Sequence, residues 1–189
     1  MKNFTKIAIS AAVLATFSTA SLAEGSWKFF PGVEDGFIFD PTMSVMAGQM
    51  IVSESIGDAA IGMGVELSIN CPLIQPPTNR VRQQISFFNY KDGDNTINTV
   101  EINPHYVMEV MPKLEIGAGP GFGYVSADVD GKTANMGAFQ LGGSVHYRVS
   151  SFFIGAEGRY QWTTAGKEGT ATEDSAKNAR AIVKVGFDF

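Results

Sequence analysis

The sequence predicts an all-β fold, an antiparallel, eight-stranded, transmembrane up-and-down β-barrel. Apolar residues alternate with polar residues or glycine through most of the chain after residue 40, where the 3.6-residue period of a helix is hard to find. Eight segments alternate in this way, and each is about as long as the 9–11 residues with which a tilted strand crosses hydrocarbon, or longer. Several connections are very short and others are longer and polar, a pattern typical of bacterial outer-membrane barrels.

Three parts of the chain are expected. Residues 1–23 have the form of a secretory signal peptide, with a basic start, an apolar stretch too short to span a bilayer comfortably, and a small-x-small cleavage site ending at Ala23. Residues 24–42 are expected to form an N-terminal arm, a lumenal segment or an extra strand, so ten strands are possible. Residues 43–189 are predicted to form the barrel.

Each predicted strand has one apolar face and one polar or glycine-rich face, because successive side chains of a strand point to opposite sides of the sheet. In residues 59–70, for example, Ile61, Met63 and Val65 share one face, while Gly64 and Glu66 share the other. The eight predicted strands are residues 43–54, 59–70, 80–90, 98–110, 113–126, 137–149, 152–163 and 179–189.

The stretch "KLEIGAGPGFGYV", residues 113–125, places glycine at every second position from Gly117 to Gly123. If "MPK" (111–113) is a turn, residues whose numbers sum to 224 are partners, with Val110 opposite Leu114. Bulky polar residues then lie opposite bare backbone: His105 opposite Gly119, Asn103 opposite Gly121 and Glu101 opposite Gly123. A Ser150-Ser151 turn likewise sets Arg159 opposite Gly142 and His146 opposite Gly155.

This pairing predicts that the glycines make room for bulky polar side chains, because the interior of an eight-stranded barrel is only wide enough to be filled by side chains. A phosphate-binding loop would need the spacing G-x-G-x-x-G before a helix, and position 122 is Phe instead. Pro104 and Pro120 fall opposite each other, and a bulge or bend is expected there because neither donates a ladder hydrogen bond.

The inward faces carry a near-neutral set of charges, which are expected to be paired because they are removed from bulk water. Glu109 and Glu115 would face each other near the inner rim, so either a base reaches between them or one of them holds a proton. The predicted lumenal charge network is Glu66, Arg82, Glu101, His105, Glu109, Glu115, His146, Arg148, Glu157, Arg159, Arg180, Lys184 and Asp188.

Charge and composition argue against several other classes of protein. Removal of Lys2 and Lys6 with the signal peptide lowers the formal net charge from −5 to −7, which disfavours nucleic acid as a partner. Cys71 is the single cysteine, so no intramolecular disulfide exists, and it is expected to be a small buried or turn residue. "DGDN" (92–95) resembles the start of a calcium loop, but Asn103 stands where the bidentate Glu is required. No metal or cofactor is therefore expected.

The signal peptide, the alternating strands, "GAGPGFGYV" and the final "VKVGFDF" resemble the small outer-membrane β-barrels of the OmpA/OmpX/Opa-like group, also described as porin-family proteins. The resemblance covers roughly residues 43–189. It implies that an alternating apolar C-terminus is an assembly signal for the barrel-assembly machinery. The matching positions are Val183, Val185, Phe187 and Phe189.

Four functional interpretations follow. The first is a structural or surface-interaction barrel with a plugged lumen, in contact with lipopolysaccharide and other outer-membrane lipid, and the second is a small porin-like channel for small or hydrophobic solutes. The third, a lipid A-modifying enzyme, is disfavoured because deacylase barrels carry His-x-Ser, whereas Val107 and Arg148 stand two residues after the histidines. The fourth, a soluble lipocalin-like barrel, would turn the apolar faces inward. The expected surface-binding loops are residues 91–98, 127–135 and 165–178.

Overall fold

The computed structural model describes residues 25–52, 60–78, 80–129, 131–164 and 177–189. The predicted signal peptide and most of the expected loop 165–178 lie outside these ranges. Within them, no helix has the length and apolar character needed to cross a membrane. The strands are β1 (Lys28–Phe29), β2 (Thr42–Val52), β3 (Ala60–Asn70), β4 (Ile74–Gln75), β5 (Arg80–Asp92), β6 (Asn95–Met111), β7 (Leu114–Val129), β8 (Lys132–Val149), β9 (Phe152–Thr163) and β10 (Asn178–Asp188).

Eight of these strands close into one antiparallel barrel in the order β10-β2-β3-β5-β6-β7-β8-β9, which confirms the predicted fold. Following paired residues once around the barrel leads from Phe153 to Thr163, ten residues further along β9. This displacement means that the strands tilt relative to the barrel axis. A row of cross-strand partners therefore lies at a different height on each successive strand. Followed from β9 through β10 and β2, it moves toward Thr163.

The two ends of the barrel are defined by its turns. The termini end carries the first residue of β2, the last of β10 and the turns at 112–113 and 150–151. The hairpin end carries the turns that contain Gly93 and Gly131. Inward-facing and outward-facing residues alternate between these ends, as the burial of β9 shows from Phe152 to Gln161.

The possibility of ten barrel strands is wrong. Strands β1 and β4 pair only with each other, as a separate two-stranded sheet. Residues 25–41 instead form an arm at the termini end, where the Phe39 carbonyl accepts from the Asn70 N–H (2.7 Å) and the Pro41 carbonyl accepts from the Phe189 N–H (3.2 Å). The long connection after β3 contains β4 and begins at Cys71, which is buried.

Two of the expected loops are mostly strand. Strand β5 runs to Asp92 and β6 starts at Asn95, so the turn is limited to Gly93 and Asp94 rather than 91–98. Residues 127–129 and 132–135 likewise belong to β7 and β8, with Gly131 in a turn. Polar composition predicts loops here, but the alternation continues through it, because Ile97, Ala127 and Ala134 still face inward and are buried.

The predicted registers are correct where partners are formed, apart from one detail; between β6 and β7 the ladder is interrupted from Asn103 to His105, at the Pro104–Pro120 position where a bulge or bend was expected, and the register is the same on both sides. Partners in β8 and β9 sum to 301, and most partners in β6 and β7 sum to 224. Next to the Pro112-Lys113 turn, however, Met111 pairs with Leu114, and the register shifts between Glu109 and Met111. Val110 therefore does not pair with Leu114, because the turn is one residue shorter than expected.

Candidate functional site: the filled lumen

The inward glycines lie where a neighbouring strand leaves no space for a side chain. A Cβ added to Gly119 would lie 1.9 Å from the Pro104 carbonyl oxygen, and one added to Gly121 would lie 1.7 Å from Oδ1 of Asn103. A Cβ at Gly155 would lie 2.2 Å from the His146 ring. Contacts this short cannot form without a shift of the neighbouring atoms.

At the middle of the lumen, three carboxylates and three cations form a continuous buried ion-pair network, which we call the central charge cluster. It consists of Glu66, Glu101, Glu157, Arg159, Arg180 and Lys184.

Arg159 of β9 joins the central charge cluster across the barrel. Its guanidinium lies 2.6 Å from Glu101 of β6 and 3.4 Å from Glu66 of β3, and it also donates to Glu157. Lys184 of β10 contacts Glu66 at 2.9 Å and Glu157 at 2.7 Å. Buried charges are tolerated when they are paired and hydrogen-bonded in this way.

Arg180 completes the central charge cluster at the side nearer the hairpin end. Its guanidinium lies 2.6 Å from Glu101 and also donates to Oε1 of Gln140. The Gln140 amide donates in turn to Asn103, and Gln161 donates to Glu101 at 3.1 Å. Charged groups and amides from strands on different sides of the barrel thus meet across its axis.

A second network closes the termini end, and we call it the inner-mouth cluster. Arg148 lies 2.9 Å from Glu115 and 2.7 Å from Asp188, and it lies over the Phe153 ring at 5.2 Å. The remaining ion pairs of this cluster are Arg80–Asp40, Arg80–Glu115 and Arg82–Asp40.

Asp40 and Arg80 are absent from the sequence-based prediction of the network. Asp40 falls in the arm, where its backbone is left-handed (φ 47°), and its carboxylate lies 3.1 Å from Arg80 and 2.8 Å from Arg82. Arg80 precedes Arg82 by two residues on β5. Applying the period-two alternation to the whole of the predicted strand 80–90 would have found Arg80, whereas no strand pattern indicates Asp40.

Glu109 does not join the network that the sequence analysis assigned it to. It pairs with Glu115 in register, but its side chain is exposed and accepts a hydrogen bond from the Lys113 backbone N–H at 3.0 Å. Two bases, Arg80 and Arg148, contact Glu115. Neither of these ion pairs includes Glu109.

Both histidines lie inside the barrel and are buried. His105 Nε2 is 3.8 Å from Glu157, and the His146 ring packs edge-on against Phe153 with ring centroids 5.5 Å apart. In the described part of the chain, no group of three or more His, Cys, Asp or Glu side chains is placed to hold a metal ion.

The hairpin end of the lumen is largely apolar, although Gln161 and Asn178 are buried and hydrogen-bonded there, and the sequence analysis did not anticipate this apolar character. Phe88 and Tyr90 of β5 stack at a centroid distance of 4.4 Å. The residues of this outer apolar cluster are Met46, Met50, Ala60, Phe88, Tyr90, Ile97, Val125, Ala127, Ala134, Met136, Ala138 and Ile182. The signal was available, since Phe88 and Tyr90 are in phase with Arg82, Gln84 and Ser86. The interior thus has three layers, two charged and one apolar.

The outer wall of the barrel is apolar, in the orientation expected for contact with lipid. Phe122, Phe139 and Trp162 are cross-strand partners, with successive ring centroids 5.5 and 5.8 Å apart. At the termini end, Phe187 and Phe189 lie 4.7 Å apart. Aromatic rows at two levels of an apolar wall are typical of transmembrane barrels. The four residues of the C-terminal motif, Val183, Val185, Phe187 and Phe189, are all exposed on this wall.

Comparison with solved structures supports the same class of fold. The chain resembles Neisserial surface protein A (NspA), with 17% identity, a TM-score of 0.55, and coverage of 79% of this chain and 97% of that one. It also resembles Ail, the attachment invasion locus protein of Yersinia pestis, with 14% identity, a TM-score of 0.52, and coverage of 81% and 100%. No protein-family model and no curated protein matches the sequence. The fold is therefore that of the small eight-stranded outer-membrane barrels.

Proposed function

We propose that this protein is an integral bacterial outer-membrane barrel with a structural or surface-interaction role, and that its lumen is closed to solutes. The observation that carries this proposal is the three-layered interior of a barrel with an apolar outer wall. An eight-stranded barrel has no width beyond what its interior side chains fill. The side chains of the central charge cluster and of the outer apolar cluster are buried inside the barrel, which supports a lumen filled by side chains.

The orientation in the membrane follows from the turns. The termini end faces the periplasm, and the hairpin end faces the cell exterior, as in outer-membrane barrels generally. Export through a signal peptide cleaved after Ala23 and insertion by the barrel-assembly machinery belong to the same proposal. Lipopolysaccharide and outer-membrane lipid are then the immediate surroundings of the wall.

A surface-interaction role would be carried by the hairpin end. Residues 91–98, 127–135 and 165–178 would present polar and charged groups outside the membrane, even where they continue the strands. One structure of Ail, a barrel of this fold, is of a complex with the heparin analogue sucrose octasulfate. That complex shows that an eight-stranded barrel can hold a ligand, and it motivates binding assays with this chain.

The closed lumen is tested by conductance. The mature chain is refolded into a planar bilayer, and insertion is verified separately by protease protection in vesicles of the same lipid. We expect a silent membrane under conditions where a sixteen-stranded porin, used as the positive control, conducts. Discrete, stable openings from the inserted barrel would overturn the closed-lumen proposal and favour the small porin-like channel.

A further inference from the structure

The outer wall contains a groove that the proposed function does not use. It crosses strands β8, β9, β10 and β2, reaches Ile61 of β3, has a volume of about 820 Å³, and lies open on the outward face. Its floor is formed by Gly143, Gly158 and Ala181, which are cross-strand partners in one row. Val145 and Val183 of the neighbouring row form one wall, so the concavity is apolar.

The row that forms the floor does not end in small residues. Ala181 pairs with Gln49 of β2, Gln49 pairs with Ile61 of β3, and Ile61 pairs with Lys91 of β5. Because such rows climb around a tilted barrel, this row rises from the middle of the wall toward the hairpin end. Gln49 and Lys91 are both exposed on the outward face. The row therefore leads from the apolar floor to an amide, then to the exposed Ile61 and finally to a cation.

We infer that this groove binds one acyl chain of an anionic outer-leaflet glycolipid of the lipid A type, with its phosphate near Lys91. The inference rests on the proposed function, because it requires the wall to lie in the membrane with the hairpin end outside. The groove is continuous with the lipid-facing wall, so an acyl chain is the group that meets it first. The row begins at an apolar floor, passes Gln49 and the exposed Ile61, and ends at a cation near the hairpin end, which suits a lipid with an apolar chain and an anionic headgroup.

A second copy of the chain fits the groove less well. The commonest symmetric dimers use the same surface on both subunits, so groove would face groove. Two concave surfaces placed face to face leave a void, and voids forfeit contacts on both sides. A flexible hydrocarbon chain fills the same space.

The inference is tested with a substitution whose side chain would fill the groove. A Cβ added to Gly158 meets no atom within 4 Å, so Gly158→Leu can occupy the groove without displacing the backbone. Val100→Leu is the control, since it also places a leucine side chain on the exposed wall, but on β6 and away from the groove. Lys91→Gln tests the headgroup contact separately.

The measurement is native mass spectrometry of the full mature chain, refolded in detergent and incubated with purified hexa-acyl lipid A or with phosphatidylglycerol. We expect one retained lipid A per barrel and about tenfold weaker retention in Gly158→Leu, equivalent to losing the burial of about two methylene groups. Lys91→Gln should weaken lipid A retention several-fold, and Val100→Leu should leave it unchanged.

Several results would overturn the inference. One is equal retention by Gly158→Leu and the unchanged protein, and another is an equal loss in Val100→Leu. Equal retention of phosphatidylglycerol would reject the assigned lipid class, and a dimer lost in Gly158→Leu would make a second copy the occupant. Vesicle insertion is scored independently: a chain that inserts but retains no lipid rejects only this inference, whereas a chain that does not insert rejects the proposed function.

Discussion

At the scale of single residues, two glycines on neighbouring parts of the wall have opposite roles. Gly119 points into the barrel against the Pro104 carbonyl, whereas Gly158 points outward with no atom near a Cβ. Gly119→Ala should therefore lower the free energy of unfolding by about 1–3 kcal/mol, because the obstructing atom is backbone. Gly158→Ala should change it by less than about 0.5 kcal/mol. Urea unfolding of both variants in lipid vesicles is the measurement, and equal effects would contradict the packing argument.

The charged interior makes a graded prediction. The Arg159 side chain is 2% exposed and contacts three carboxylates, whereas Arg148 is 19% exposed at the mouth and contacts two. Arg159→Met should cost about 3–5 kcal/mol, because it leaves buried carboxylates without a partner. Arg148→Met should cost less, about 1.5–3 kcal/mol.

The control for this series is Lys28→Met. Lys28 pairs with Glu34 in the arm, but its side chain is 61% exposed, so its loss should cost less than about 1 kcal/mol. The three variants are compared by urea unfolding in the same vesicles. A cost for Arg159→Met no larger than that for Lys28→Met would show that the central charge cluster does not stabilise the barrel.

At the scale of strands and turns, the Pro112-Lys113 turn carries backbone strain. Lys113 has φ 72°, and it directly follows Pro112 as the second central residue of the turn, a position where glycine is preferred. Lys113→Gly should stabilise the barrel by up to about 1 kcal/mol, since a side chain in the left-handed region costs about 1–2 kcal/mol and glycine returns part of that in entropy. Pro112→Gly, at a position that proline suits, is the destabilising control for the same unfolding measurement.

Period-two alternation was sufficient to predict every barrel strand, the inward face and the partners of Arg159 and His146 across their hairpin. The loop predictions at residues 91–98 and 127–135 were wrong because they gave polar composition more weight than the alternation. Both segments are polar but mostly strand. Alternation within one hairpin also cannot show which distant strands meet across the lumen. The contacts of Arg159 with Glu101 and Glu66 depend on barrel closure and tilt, and these arise from all eight strands together.

At the scale of the whole molecule, the layered interior explains why the sequence predicted the charged layers of the lumen but not its apolar layer. A charged residue at every second position of a strand identifies the inward face, so the central charge cluster and most of the inner-mouth cluster could be predicted. Inward apolar residues such as Phe88 and Met50 break the simple rule that one face is polar, and a two-faced apolar stretch does not indicate which face is the lumen. Barrel closure places them together toward the hairpin end of the lumen.

Assembly of the whole barrel gives the last prediction. Phe189 is exposed at the end of the wall and is held by its backbone N–H on the Pro41 carbonyl, a bond that survives loss of the ring. If the C-terminal motif is read by the assembly machinery, Phe189→Ala should reduce barrel insertion in cells while leaving refolding into vesicles unchanged. Phe152→Ala removes another exposed aromatic at the same end but outside the motif, so it should insert normally. Quantifying folded barrel by its heat-dependent gel migration distinguishes the two, and equal loss in both variants would indicate a general need for rim aromatics instead of a signal.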